Sequence, residues 1–142
     1  MLNEFEIVIR LIASVIIGLL IGLSRRRKPA GIRTFALISL GSAIFTLVSI
    51  ADMFSLAAPN TFDPTRIIAQ IVAGVGFLGL GVIWRNGINK PAGLTTAAAI
   101  WVTASVGVLA GLGMWIETIV GTILILAILY SKEPLMKAHI ED

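Results

Sequence analysis

The 142-residue sequence has no cysteine and a single histidine. Disulfides and thiolate metal sites are therefore excluded, and redox compartment has no reporter. His139, alone in a charged C-terminal stretch, reads as a solvated residue and not as a ligand. Charged residues make up only 13% of the chain. No Walker loop, Ser/His/Asp arrangement or His/Cys cluster can be assembled from them, so catalysis has no visible apparatus and no cofactor is implied. Asp52, Asp63 and Glu117 could offer oxygen to Mg²⁺, but carboxylates of this kind need no metal to explain them, and no metal site is assigned.

What the sequence has in abundance is apolar length. It is 57% hydrophobic with a mean hydropathy of +0.97, far from the composition of a soluble domain. About 20 apolar residues span a bilayer, and five stretches approach that length: residues 5–23, 32–50, 64–83, 94–112 and 115–130. The last is the shortest. Strands this apolar would leave unpaired edges in lipid and show no alternation, so helices are the remaining choice. The expected fold is an all-α integral membrane protein of about five transmembrane helices in a single domain over 1–142. Glu4 and Glu6 stand where a secretory signal would carry basic residues, so the first helix is expected to be retained.

The first half of the chain recurs in the second. Arg10-Leu11-Ile12-Ala13-Ser14-Val15-Ile16-Ile17-Gly18 returns 56 positions later as Arg66-Ile67-Ile68-Ala69-Gln70-Ile71-Val72-Ala73-Gly74, with four identities. Lys28-Pro29-Ala30-Gly31-Ile32-Arg33-Thr34-Phe35-Ala36-Leu37-Ile38 returns 62 positions later, from Lys90 to Ile100, with seven identities in eleven. Aliphatic coincidence could produce the first match but hardly both Lys-Pro-Ala-Gly turns. Two tandem hairpins, residues 5–50 and 62–112, are expected to be related by an axis along the membrane normal, followed by a fifth helix and a short tail, 131–142. In that scheme Arg10 falls on Arg66 and Thr34 on Thr96.

Basic residues set the orientation. Arg25, Arg26, Arg27, Lys28 and Arg33 lie between the first two spans, Arg85 and Lys90 between the next two, and Lys132 and Lys137 in the tail. Positive short loops stay in the cytoplasm, which places the N-terminus outside and the C-terminus inside, with net charges of +6 on the inner side and −3 on the outer. The overall +3 is thus a topology signal that could also attract anionic lipid, and it gives no reason to propose nucleic acid.

Within the spans, Arg10, Asp63, Arg66 and Gln70 form the candidate polar intramembrane site. Glu6 precedes Arg10 by one helical turn, Asp63 precedes Arg66 similarly, and Gln70 follows on the same face. Snorkelling arginines and an N-capping Asp63 before Pro64 are the plainer explanations. At the other end, Arg33, Thr34, Thr95 and Thr96 open their helices; they could cap those helices or line a vestibule, and Arg33 against Thr95 is the place where the repeat breaks its charge symmetry. Gly74, Gly76 and Gly79 match a dinucleotide-binding spacing, but inside a continuous apolar span with alanine at position 99 the match is false. With Gly81, and with the pairs Gly18/Gly22 and Gly107/Gly111, they are expected to serve close helix packing.

The stretches Gly18-Leu19-Leu20-Ile21-Gly22-Leu23, Ala30-Gly31-Ile32-Arg33-Thr34, Asp63 through Gly79, and Gly93-Leu94-Thr95-Thr96-Ala97-Ala98 followed by Trp101 resemble the MgtC/SapB family of bacterial membrane proteins. The resemblance covers nearly all of residues 5–130. It implies a multi-pass plasma-membrane protein associated with adaptation to low Mg²⁺ and, in pathogens, with survival inside macrophages. Members were first taken for Mg²⁺ transporters; the role the resemblance favours is regulatory, acting on the F-type ATP synthase and membrane potential. Two departures matter. Ser24-Arg25 stands where the family usually has a Glu-Arg pair, and many members carry a soluble cytoplasmic domain, whereas this sequence ends about twelve residues after the fifth span. The leading expectation is a non-enzymatic membrane regulator acting through helix contacts, as a homo-oligomer or within a complex such as the ATP synthase. The alternative is a small transporter or channel for Mg²⁺ or another cation or solute.

Overall fold

The computed structural model describes residues 2–26, 28, 30–51, 63–84 and 92–131. They form five helices: α1 (Glu4–Leu23), α2 (Ile32–Ser49), α3 (Thr65–Ile83), α4 (Leu94–Leu112) and α5 (Trp115–Tyr130). Each falls on one apolar stretch, with ends differing by no more than one residue. The first four are long and apolar enough to cross a membrane, and α5 is a shorter apolar helix of 16 residues. The chain is an all-α membrane protein. Arg27, Asp52, Arg85, Lys90, His139 and the tail lysines lie outside the described residues.

Local chemistry sets the helix ends. Asn3 is extended, and its side chain accepts from the Phe5 amide, while Glu4 and Glu6 put negative charge in the first turn of α1, where the helix dipole favours it. α4 lies between two glycines in the left-handed region, Gly93 (φ 82°) and Gly113 (φ 77°). At Gly113 the chain closes a Schellman motif: its amide donates to Ala110 O at 3.1 Å and that of Met114 to Leu109 O at 3.0 Å.

α2 and α4 form the central pair. α1 packs on both, α3 packs on α4 and more loosely on α2, and α5 lies against α4 with an edge on α1. Exchanging the hairpins maps the neighbours among α1 to α4 onto themselves, and the contacts of α5 break that symmetry. Lipid supplies no hydrophobic drive between helices, so tight backbone approach must hold them, and glycines provide it on both sides of α2. A Cβ at Gly18 would come within 2.7 Å of Ala36 Cα and Phe35 O, and one at Gly22 within 2.7 Å of Ile32 Cα. From the other side, a Cβ at Gly107 would meet Ser39 O at 2.5 Å, and one at Gly111 would meet Ala43 O at 2.9 Å. Phe35, Ile21, Ile100 and Val106 fill the space between these contacts.

The expectation for α3 is corrected. A Cβ at Gly74, Gly76 or Gly81 would meet no atom within 4 Å, and only one at Gly79 would approach a neighbour, Ala97 Cβ at 3.5 Å. The reason is register. The buried stripe of α1 runs through Arg10, Ser14, Gly18 and Gly22, and that of α3 through Ile71, Val75 and Gly79. Gly18 sits over Phe35 and Ala36 as Gly79 sits over Ala97, so packing relates the two helices at 61 positions, whereas the sequence match relates them at 56. The five-residue difference amounts to about 7.5 Å along the axis and turns a different face of α3 inward. Arg10 and Arg66 are therefore not placed alike.

Gly107→Ala should lower stability by about 1–3 kcal/mol, since the methyl meets backbone and not a flexible side chain. Gly76→Ala should be neutral or stabilising by up to about 1 kcal/mol, as expected for glycine replacement in an open helix position. Thermal unfolding in detergent, followed by tryptophan fluorescence, checks the pair.

Candidate functional site

Among the described residues two arginines are buried, one at each end of the seam between α1 and α4. Arg10, only 6% exposed, enters from the second turn of α1. Its Nη1 donates to Gly111 O at 2.8 Å, and its Nη2 donates to a Glu6 carboxylate oxygen one turn earlier. The accepting carbonyl belongs to the last turn of α4, so the guanidinium lies at the negative end of that helix dipole. Gly113 is required there twice over. Its φ of 77° disfavours a side chain, and a Cβ would fall 2.6 Å from Nη2 and 2.7 Å from Cζ of Arg10. One turn below Arg10, Ser14 returns its hydroxyl to Leu11 O at 2.7 Å.

Arg25 closes the opposite end. It is 5% exposed, and its Nη2 donates to Thr96 Oγ1, in the first turn of α4, at 2.8 Å. Burial lowers the Arg25 guanidinium from its ordinary value, yet arginine remains protonated at any physiological pH. Its charge is set against the positive end of α4, the reverse of the situation at Arg10. Ser24, where the resemblance expects a carboxylate, donates its hydroxyl to Ile21 O at 2.6 Å and so turns back on its own helix. Arg25 was legible in sequence only as one of several loop charges; the Glu-Arg pairing noted for the family was the signal that could have singled it out.

The four residues grouped from sequence as one polar site are not brought together. Arg10 is in the α1/α4 seam, whereas Asp63, Arg66 and Gln70 are exposed along α3, which does not pair with α1 as a helix neighbour. Asp63 accepts from the Thr65 amide at 2.9 Å and the Thr65 hydroxyl at 2.7 Å. Those hydrogen bonds, and secondarily the charge of Arg66, hold its carboxyl below the usual range. Among the described residues the Glu6–Arg10 contact is the ion pair; Asp63 and Arg66 do not form one. Of the candidates at the other end, Thr96 is buried against Arg25, while Arg33, Thr34 and Thr95 are exposed.

Most buried hydroxyls elsewhere also serve their own helices, Ser39 Oγ being without a protein partner. Thr46 donates to Ser42 O, Thr103 to Ala99 O, Thr118 to Met114 O and Thr122 to Thr118 O, at 2.6–2.8 Å. Among the described residues, no three His, Cys, Asp or Glu side chains gather into a possible metal cluster. A separate cavity of about 640 Å³ lies between α2 and α3, walled by aliphatic side chains with Thr34, Ser42 and Gln70 as its polar points.

A bundle of apolar helices clamped by glycine and tied by buried arginines defines an all-α, multi-pass class of membrane protein. Within that class the chain belongs to the MgtC family, whose model matches residues 11–138. It is 45% identical over 124 residues to "Protein MgtC" of Salmonella typhimurium strain LT2, an alignment covering 86% of this chain and 50% of the relative. It is 47% identical over 130 residues to the "Putative magnesium transporter YhiD" of Escherichia coli K12, covering 87% and 59%. It is 43% identical over 124 residues to "Protein SrpB" of Synechococcus elongatus, covering 80% and 67%. The chain thus spans about half the length of the MgtC relatives it matches. No solved structure gives a significant match.

Gly113→Ala should cost more in the native chain than in an Arg10→Ala background. Without the guanidinium, only the left-handed backbone is penalised, at about 1–2 kcal/mol; with it, a packed charge must also move. A double-mutant cycle on thermal stability reads the difference as a coupling energy.

The Asp63 carboxyl is held low in the folded chain, so its contribution is present above the carboxylate's unfolded pKa and is lost as pH falls through the folded one. Amide exchange at Thr65 and Arg66 should therefore accelerate selectively at acid pH. Asp63→Asn, which keeps an acceptor oxygen, should remove that pH dependence while leaving the start of α3 protected at neutral pH.

Proposed function

We propose that the chain is a non-enzymatic membrane regulator of the plasma membrane, linked to low-Mg²⁺ adaptation and acting on membrane potential or the F-type ATP synthase. The observation that carries this reading is where the polar side chains go. The two buried arginines use their terminal nitrogens, and most buried hydroxyls bond, within the bundle, while Arg33, Arg66, Gln70 and Thr95 are exposed. Polar groups presented on exposed helix faces suit contacts with another membrane protein or a second copy. They do not make a lined interior route among the described residues. Buried positive charge at both ends of the α1/α4 seam would also raise a barrier to a cation passing there.

The orientation that accompanies the reading puts Arg10 and Asp63 at the outer surface and Arg25, Arg33 and Thr96 at the cytoplasmic surface, by the distribution of basic loop residues. Contact through helix faces, as a homo-oligomer or within a larger complex, follows from it.

A second reading, transport of Mg²⁺ or another solute, is kept because the Escherichia coli relative is named as a magnesium transporter. One experiment separates them. Purified protein in liposomes loaded with a Mg²⁺-sensitive dye should pass no more ion than protein-free liposomes, while the same chain expressed in cells at low Mg²⁺ shifts growth and membrane potential. Flux well above the protein-free level would overturn the regulator reading in favour of transport.

A further inference from the structure

We infer that the groove between α2 and α3 is a binding site for one acyl chain of an anionic phospholipid, whose phosphate is held at Arg33. The groove has the dimensions of a single leaflet. Its α2 wall runs from Thr34 to Phe45 and its α3 wall from Ile67 to Leu78. Twelve residues on each side, eleven rises, give about 16 Å of helix, against roughly 15 Å for half of a 30 Å hydrocarbon core. Its volume of about 640 Å³ is bounded mostly by apolar surface, from Leu37, Ile38, Phe45, Ile67, Ile71, Val75 and Leu78.

The groove is open because glycine keeps it so. Gly41 on α2 and Gly74 on α3 both line it, and neither has an atom within 4 Å of the place its Cβ would take. These are not positions of close helix approach, unlike Gly18 or Gly107. An apolar trough of this depth, presented sideways in a bilayer, is filled by hydrocarbon and not by water.

Charge complementarity selects the lipid. Arg33 continues the helical row of Leu37 and Gly41, both groove-lining, and immediately precedes Thr34 at the groove's end. It is exposed, as are Arg26 and Lys28 in the preceding turn. The first turn of α2 has no side-chain cap, so its amides face the same end. The equivalent residue in the second hairpin is Thr95, and the equivalent seam, between α4 and α1, is closed by Arg25 on Thr96. Among the described residues, exposed guanidinia adjoin both ends of the open groove, Arg66 beside Ile67 and Arg33 beside Thr34, and the end at Arg33 is the one that also has Arg26 and Lys28 exposed in the preceding turn.

Native mass spectrometry of detergent-purified protein, titrated with phosphatidylglycerol or phosphatidylethanolamine of the same acyl chains, tests this. The unmodified chain should retain phosphatidylglycerol about fivefold or more over phosphatidylethanolamine. Arg33→Gln, at an exposed position, should abolish that preference, the loss expected for about one surface basic residue. Gly41→Leu and Gly74→Leu should each cut retention of both lipids about tenfold, or roughly 1.4 kcal/mol, with tryptophan-monitored unfolding unchanged. Equal retention of the two lipids by the unmodified chain would overturn the inference. So would retention that survives both leucine variants, or leucine variants that alter only cross-linking between copies. Should the leucine variants fail to fold, the Arg33→Gln comparison decides alone: an undiminished preference for phosphatidylglycerol overturns the inference.

Discussion

α2 is held by backbone on both sides, and the rest of the molecule is arranged around that constraint. In lipid the side chains of two helices gain little by leaving the solvent for each other, so association depends on how closely the main chains approach. Gly18 and Gly22 bring α1 onto the backbone of Phe35, Ala36 and Ile32, and Gly107 and Gly111 bring α4 onto Ser39, Ala43 and Thr46. With both neighbours seated this tightly, their relative heights are fixed. That is what places the end of α4 beside Arg10 and its beginning beside Arg25.

The charges depend on that placement and reinforce it. A buried guanidinium is costly unless its donors are met; Arg10 meets a terminal carbonyl through Nη1 and a carboxylate through Nη2 at the favourable pole of α4, and its buried Nε has no protein partner. Sliding α4 by one residue relative to α1 would remove Gly111 O from reach and bring a side chain, in place of Gly113, against the guanidinium. Arg25 has a weaker arrangement, a single hydroxyl at the unfavourable pole. Glu6 is itself partly exposed, so solvent and headgroup screening reduce what its charge contributes, and the carbonyl bond and the packing on Gly113 carry more of the fastening.

The helices and the glycine clamps of α1 and α4 were legible in the sequence because each rests on a local pattern: apolar length for the spans, small residues four apart for Gly18/Gly22 and Gly107/Gly111. The register of α3 was not. Its apolar residues exchange one aliphatic for another, so the sequence match through Arg66 and Gly74 carries no statement of which face turns inward, and Ile71, Val75 and Gly79 pack as well as the alternative stripe would. Grouping Arg10 with Asp63, Arg66 and Gln70 inherited that error, since it assumed equivalent positions. Arg25 was missed for the converse reason. Nothing local distinguishes it from Arg26, and only the tertiary approach of Thr96, 71 residues away, makes it a buried partner.

The duplicated sequence therefore yields two unequal halves. α1 is fastened in its middle by glycine and at both ends by arginine, and it has one position relative to α2 and α4. α3 is held along a narrower stripe of Ile71, Val75 and Gly79, and on its α2 side Gly41 and Gly74 leave a trough where the corresponding seam between α1 and α4 is closed. A helix with two comparably apolar faces and one shallow attachment is the element most easily biased by whatever lies beside it, because little native contact is lost when it shifts. Polar residues on such a helix, Arg66 and Gln70 here, gain from a neighbour that can satisfy them. The asymmetry that the sequence marks by Arg33 against Thr95 thus accompanies a deeper one: α1, α2 and α4 form the clamped frame, and α3 presents the less tightly held surface.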